Sequence, residues 1–279
     1  MKKQLPIAIT LIIVIIQFIY TNWISDTSKP PKQPNTTPTQ SRKSPIPTPA
    51  ETAPIVDLGN NILRLNYEGY SVWLDCEKHG AIKFQYNAQR DVGDFPRTDK
   101  FKLDHNVPAR CQQTSAAAYG KRYDRGHLVP ANHLDYSESA MQGTFYMTNI
   151  LPQAASMNRG AWLRTEEIIE CYRDISELLI IGGVIWGNNP ADDYFMKSHG
   201  VKTPDAFWKV IIRGGGQSEE AIAWIVPNSQ EAVEKNLDKY LVTVHDIERI
   251  TGEKIPVAEY AKNIKPSASW LIPKGCNKS

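Results

Sequence analysis

Between Gln4 and Ser25 the chain carries no charged residue, and LPIAITLIIVIIQFIY within this run is apolar on every face. As a helix rising about 1.5 Å per residue it reaches roughly 30 Å, the thickness of a bilayer's hydrocarbon core. Lys2 and Lys3 precede it, and it ends in TNWIS where a cleaved signal peptide would end in small residues. Residues 1–25 are therefore read as a membrane anchor or signal segment, the uncleaved anchor being favoured. With the lysines kept on the cytoplasmic side, the rest of the chain is exported: a cell-membrane protein with an extracytoplasmic domain, or a secreted one if the segment is removed.

Residues 26–54 hold eight prolines among Ser, Thr and Gln and have almost nothing to bury, so they read as a disordered tether. Only residues 55–279 have the composition and length of one sizeable core. The whole chain is +2, but six of its basic and two of its acidic residues precede residue 55, which leaves 26 against 28, or −2, for the domain. A polyanion must then be met by a local patch. Residues 83–125, with nine Lys/Arg against five Asp, offer one.

The four cysteines, Cys76, Cys111, Cys171 and Cys276, fit two disulfides in an oxidising compartment. Three pairings are open; Cys76 with Cys111 and Cys171 with Cys276 is preferred because the first pair brackets a local segment. Period-2 alternation through Tyr70, Val72, Leu74 and through Ile82, Phe84, Tyr86, around the turn KHG, predicts a hairpin. SESAMQGTF reads as a short helix. SMNRGAWLRTEEIIECYRDISELL reads as a long one capped by Ser156 or Asn158. LLIIGGVIWG, FWKVIIRG and EAIAWIVPN read as strands, and SQEAVEKNLDKYL and VHDIERITG as helices, the last stopped by Gly252. The class is α+β.

The chemistry concentrates in YDRGHLVPANHLD. His127 is the side chain suited to taking a proton near neutral pH, Arg125 can hold phosphate oxygens bidentately, and Gly126 lets substrate approach. Asn149 and Asn158 downstream offer amide oxygens to a hard cation such as Mg²⁺. His79, His105, His199 and His245 read as surface or packing residues, and His133 has no visible partner.

DRGH, then TNILPQ, then MNRGAW, then an acidic helix with Glu166, resembles the DNA/RNA non-specific endonuclease family of the ββα-metal superfamily, which includes mitochondrial endonuclease G. The likeness runs over roughly Tyr70 to Gly252. It implies a central antiparallel sheet with flanking helices. It implies His127 as general base, Asn158 as the direct protein ligand of one Mg²⁺ (Mn²⁺ substituting), Arg125 beside the scissile phosphate, and Asn149 as a hydrogen-bonding support. A second phosphate arginine falls on Arg97, with Arg90 competing; Arg159 joins Arg125 and Arg97 as a substrate contact. Asp124 fixes the loop, and Trp162 belongs to the core. In a continuous helix the eight residues from Asn158 to Glu166 advance about 12 Å and turn about 80° past two full turns, so Glu166 is expected to meet the ion only through water.

The function expected is that of an exported, membrane-tethered, Mg²⁺-dependent endonuclease. It would cut DNA and RNA with little sequence preference, because contacts to phosphate carry no base information. Two alternatives stay open: an inactive surface protein that binds nucleic acid, and a phosphodiesterase for small extracellular esters.

Overall fold

The computed structural model describes residues 54–276. The anchor expected at 1–25 and nearly all of the tether at 26–54 lie outside the described residues.

Eight strands form one antiparallel sheet in the order β1 (Ile55–Asp57), β2 (Ile62–Tyr67), β3 (Tyr70–Asp75), β4 (Gly80–Ala88), β7 (Leu178–Trp186), β8 (Pro204–Arg213), β9 (Glu220–Pro227) and β10 (Leu241–Val242). The KHG hairpin is the β3–β4 turn. Between β4 and its neighbour β7 the chain makes a long excursion, and within it β5 (Tyr123–His127) and β6 (Ile150–Ala154) pair as a separate ribbon. Every functional side chain read from the sequence, except Arg90 and Arg97 just after β4, lies on this ribbon or on the helices beside it.

Alternation along β8 divides the core. Phe207 and Ile211 face the main cluster with Trp162, Ile168 and Ile169, whereas Trp208, Val210 and Ile212 face a second cluster. Side chains two residues apart share a face, so Lys209 falls on the Phe207 side. Helix α1 (Glu138–Gly143) is the short helix expected. Helix α2 (Leu163–Arg173) covers the main face, and α3 (Val244–Thr251) packs Val244 and Ile247 on the other. A capping box between Thr243 and Asp246 starts α3, and Gly252 at φ 75° ends it.

Two helix readings are corrected. SQEAVEKNLDKYL yields only a 3₁₀ segment, Glu234–Tyr240. The long helix begins at Ala155 with no side-chain cap: Ser156 Oγ donates instead to Gln230 Oε1 at 2.9 Å, and Asn158 lies inside the helix. The disulfides are Cys76–Cys111 and Cys171–Cys276, the preferred pairing.

Candidate active site

The ribbon places the two ends of the site. Register pairs His127 with Ile150, Arg125 with Pro152 and Tyr123 with Ala154, after which the chain enters the helix at once. Asn158 opens a π-helical turn, Asn158–Trp162, that continues into α2. Such turns hold one residue more than an α-turn and recur at functional sites. The extra residue changes the phase. Eight residues now act as about seven α-helical steps, two full turns to within roughly 20°, so Asn158 and Glu166 come onto one face of the helix. The offset expected from an unbroken helix is removed.

His127 lies between two phenylalanines, 5.6 Å from Phe101 and 5.0 Å from Phe145 between ring centroids. Each of those rings carries an arginine: Arg125 over Phe101 at 3.8 Å and Arg97 over Phe145 at 5.2 Å. Burial, then Arg97, push the imidazole down to about 3; Arg125 adds to this and Asp99 opposes it. His127 is thus neutral at physiological pH, and its Nε2 has no hydrogen-bond partner among the described residues. Arg97 pairs with Asp99 at 2.7 Å and remains half exposed. Arg90 instead donates to the Asp174 carbonyl at the end of α2, so of the two arginines it is Arg97 that stands beside His127.

Asp124 accepts from three donors: Asn158 Nδ2 at 3.0 Å, Arg159 Nε at 2.8 Å and Arg159 Nη2 at 2.6 Å. This fixes the Asn158 amide by its nitrogen and leaves Oδ1 as the atom able to ligate. Among the described residues no group of three His, Cys, Asp or Glu side chains could hold an ion. A cation that keeps most of its own waters and needs one amide oxygen plus a nearby carboxylate fits this donor set. Arg159, read as a substrate contact, has its guanidinium engaged by Asp124.

Glu166 is raised to about 7 by burial, with Lys209, Arg97 and the Trp162 indole opposing and Glu170 adding to the rise. Lys209 escaped the sequence reading. It is 1% exposed, its Nζ stands 4.0 Å from Glu166 Oε1, donates to Thr165 Oγ1 at 2.8 Å and lies 3.7 Å over the Trp162 ring. The signal was available: one charge inside the apolar strand FWKVII must have a partner. His133, expected to lack one, is buried with Nε2 2.9 Å from Glu170 and Nδ1 2.8 Å from the Tyr86 hydroxyl. Glu170 also pairs with Arg173.

The packing around the site gives several of these residues specific partners. Gly126 is needed because a Cβ there would meet the buried Gln153 side chain at 2.2 Å, so it permits close packing inside the ribbon. Asn149 is fully buried, with Nδ2 donating to Val129 and Thr144 carbonyls and Oδ1 accepting from Val129 N–H. It holds the segment that follows His127. Trp162 is core, and its indole donates to the His127 carbonyl at 3.2 Å. Within the basic run 83–125, Lys83 pairs with Glu253, just past α3, and Lys102 lies over Tyr146, while Arg97 and Arg125 flank His127.

A family model described as DNA/RNA non-specific endonuclease matches residues 48–266. Mitochondrial nuclease EXOG of Mus musculus is 30% identical over 177 residues, 58% of this chain and 47% of its own length. Mitochondrial endonuclease G of Homo sapiens is 30% identical over 201 residues, 66% of each chain. A nuclease of Nostoc sp. is 27% identical over 202 residues, 68% of this chain and 69% of its own. The chain thus spans about half to two thirds of the length of these relatives. Among solved structures, that of the EndoG/EndoGI complex superposes with a TM-score of 0.56 at 19% identity, covering 71% of this chain and 86% of that one, which speaks for the fold. The ribbon-and-helix arrangement holding His127 and Asn158, and a family match that covers most of the chain, make this protein a member of the DNA/RNA non-specific endonuclease family.

Proposed function

We propose that the chain is a Mg²⁺-dependent endonuclease that hydrolyses phosphodiester bonds of DNA and RNA with little sequence preference. The observation that carries this is the neutral His127 set between Arg97 and Arg125, on the ribbon that leads directly to Asn158. The two guanidiniums receive the oxygens of one phosphate. His127 takes the proton of the attacking water. Binding strengthens this base, because a phosphate anion offsets the two cations that depress it. Asn158 Oδ1 would hold Mg²⁺, which when bound would supply Lewis-acid stabilisation of the charge that develops in the reaction. Glu166, as carboxylate, accepts hydrogen bonds from water on the same helix face and orients it. All of these groups address phosphate and water, so both sugars are accepted.

Export and tethering are part of the proposal. The apolar run 4–25, with Lys2 and Lys3 before it, supports an anchor, and two disulfides fit an oxidising compartment. No helix among the described residues is long and apolar enough to cross a membrane.

The test is incubation of the chain from residue 55 with plasmid DNA and with RNA, with Mg²⁺ or chelator, beside His127→Ala. Cleavage of both substrates that needs Mg²⁺ and His127 is expected. Cleavage that persists with chelator or in His127→Ala overturns the mechanism, and binding without cleavage assigns the chain to nucleic-acid capture.

A further inference from the structure

The turn Gly120–Tyr123, immediately before β5, has an unusual composition. Tyr123 N–H donates to the Gly120 carbonyl at 3.0 Å, and the two central residues, Lys121 and Arg122, have φ of 53° and 68°. Two successive left-handed residues make the turn type that hairpins build from Asn-Gly, since side chains larger than these strain it. Here both positions carry long cations, and both are exposed. The conformation is held from outside: the Arg122 carbonyl accepts from Ala155 N–H at 2.9 Å and from Gln230 Nε2 at 2.9 Å. Strained residues that the surroundings over-determine point to function. Packing does not explain the choice, because neither side chain is buried.

Position supplies the rest. Ala155 begins the helix that carries Asn158, and Arg122 precedes Arg125 by three strand residues, on the order of 10 Å. Lys121 Nζ lies 5.8 Å from the ring centroid of Tyr194, which is 45% exposed. The Asp192 carboxylate, which acts on the Tyr123 hydroxyl beside this turn, accepts from Asn189. The described domain has no basic excess to attract a polyanion, so two exposed cations on a turn whose backbone is held at the end of the ribbon matter.

We propose that Lys121 and Arg122 form a phosphate-binding subsite, outside the catalytic centre, that grips the backbone of a polynucleotide beyond the scissile phosphate. It rests on the nuclease reading above. The turn makes the enzyme favour chains several nucleotides long over small diesters, with no preference among bases. Each phosphate contact adds about 0.9 to the slope of log affinity against log salt on duplex DNA. Loss of two contacts therefore removes about 1.8 from that slope, roughly a tenfold difference in salt response between 50 and 200 mM.

The experiment uses the full chain in mild detergent and the double variant Lys121→Asn/Arg122→Gly, which fits the turn better and removes both charges. The expected result is an equal or higher Tm, unchanged kcat on plasmid, KM on plasmid raised severalfold at 50 mM salt, a shallower salt dependence, and unchanged hydrolysis of bis(p-nitrophenyl) phosphate. Lys121→Gln/Arg122→Gln, which keeps the side-chain length, should give the same KM and salt slope even if the Asn-Gly variant folds poorly. Unaltered KM and salt slope in both variants overturn the subsite while leaving the nuclease reading intact. Failure of the unaltered chain to cleave any substrate would instead overturn the nuclease reading, and fluorescence anisotropy on a labelled duplex would then still test the subsite by the same slope.

Discussion

Asp124 and Asn158, 34 residues apart in sequence, are joined by one hydrogen bond of 3.0 Å that fixes which end of the asparagine amide can ligate. Groups that orient a metal ligand typically change affinity or activity 10–100-fold when lost. Asp124→Ala should raise the Mg²⁺ concentration for half-maximal cleavage by about that factor. Tm should fall only slightly, since an ion pair to a fully exposed, water-screened guanidinium such as that of Arg159 contributes little. An unchanged Mg²⁺ titration would show that Asn158 needs no such support.

Lys209 stabilises the ionised form of Glu166 against the burial that raises it to about 7. In Lys209→Met that opposition is gone, so the carboxyl is pushed higher still and is mostly protonated at neutral pH. The rising limb of the pH–rate profile should move to higher pH, with activity recovered in alkaline buffer at constant Mg²⁺. A uniform loss at every pH would mark Lys209 as a packing residue only.

His127 and Glu166 link stability to pH with opposite signs. His127 falls from 6.5 to about 3 on folding, so below pH 6.5 the unfolded chain binds a proton that the folded one refuses, and stability is lost as pH falls toward 3. Glu166 rises from 4.5 to about 7, so its contribution is present below 4.5 and lost as pH climbs through 7. Of these two groups, only the histidine contributes a slope between pH 4.5 and 3. There, urea midpoints of the unaltered protein should fall with pH more steeply than those of His127→Gln, and parallel curves would show an imidazole that titrates normally.

The Cys171–Cys276 bridge ties the end of α2 to the C-terminal segment across 105 residues. By loop-closure entropy such a bridge contributes about 4–5 kcal/mol, and in a domain of this size each kcal/mol moves Tm by roughly 2–4 °C. Cys171→Ser/Cys276→Ser should lower Tm by about 10–20 °C in calorimetry. A shift of only a degree or two would mean that the C-terminal segment is held by its other contacts, such as the Tyr172–Trp270 ring pair at 5.1 Å.

Much of the architecture was legible in the chain because it depends on local chemistry. Period-2 alternation located the β3–β4 hairpin, three apolar runs became β7, β8 and β9, and Gly252 ended α3 where its backbone freedom was needed. The motifs also brought His127, Arg125, Asn158 and Glu166 into view, since the residue types that handle protons, phosphates and hard cations are few. SQEAVEKNLDKYL misled because an amphipathic pattern does not say whether neighbouring layers leave room for an α-helix.

By itself the sequence determined the class of fold, the preferred disulfide pairing and the inventory of reactive groups. Tertiary structure decided how those groups meet. It chose Arg97 over Arg90, clasped Asn158 and Arg159 to Asp124, buried Lys209 beneath Glu166 and linked His133 to Glu170. It also inserted the π-turn that carries Asn158 and Glu166 onto one helix face. These are relations between segments distant in sequence, or one-residue shifts in helical phase. Packing against the rest of the chain sets both, and no local pattern encodes that packing.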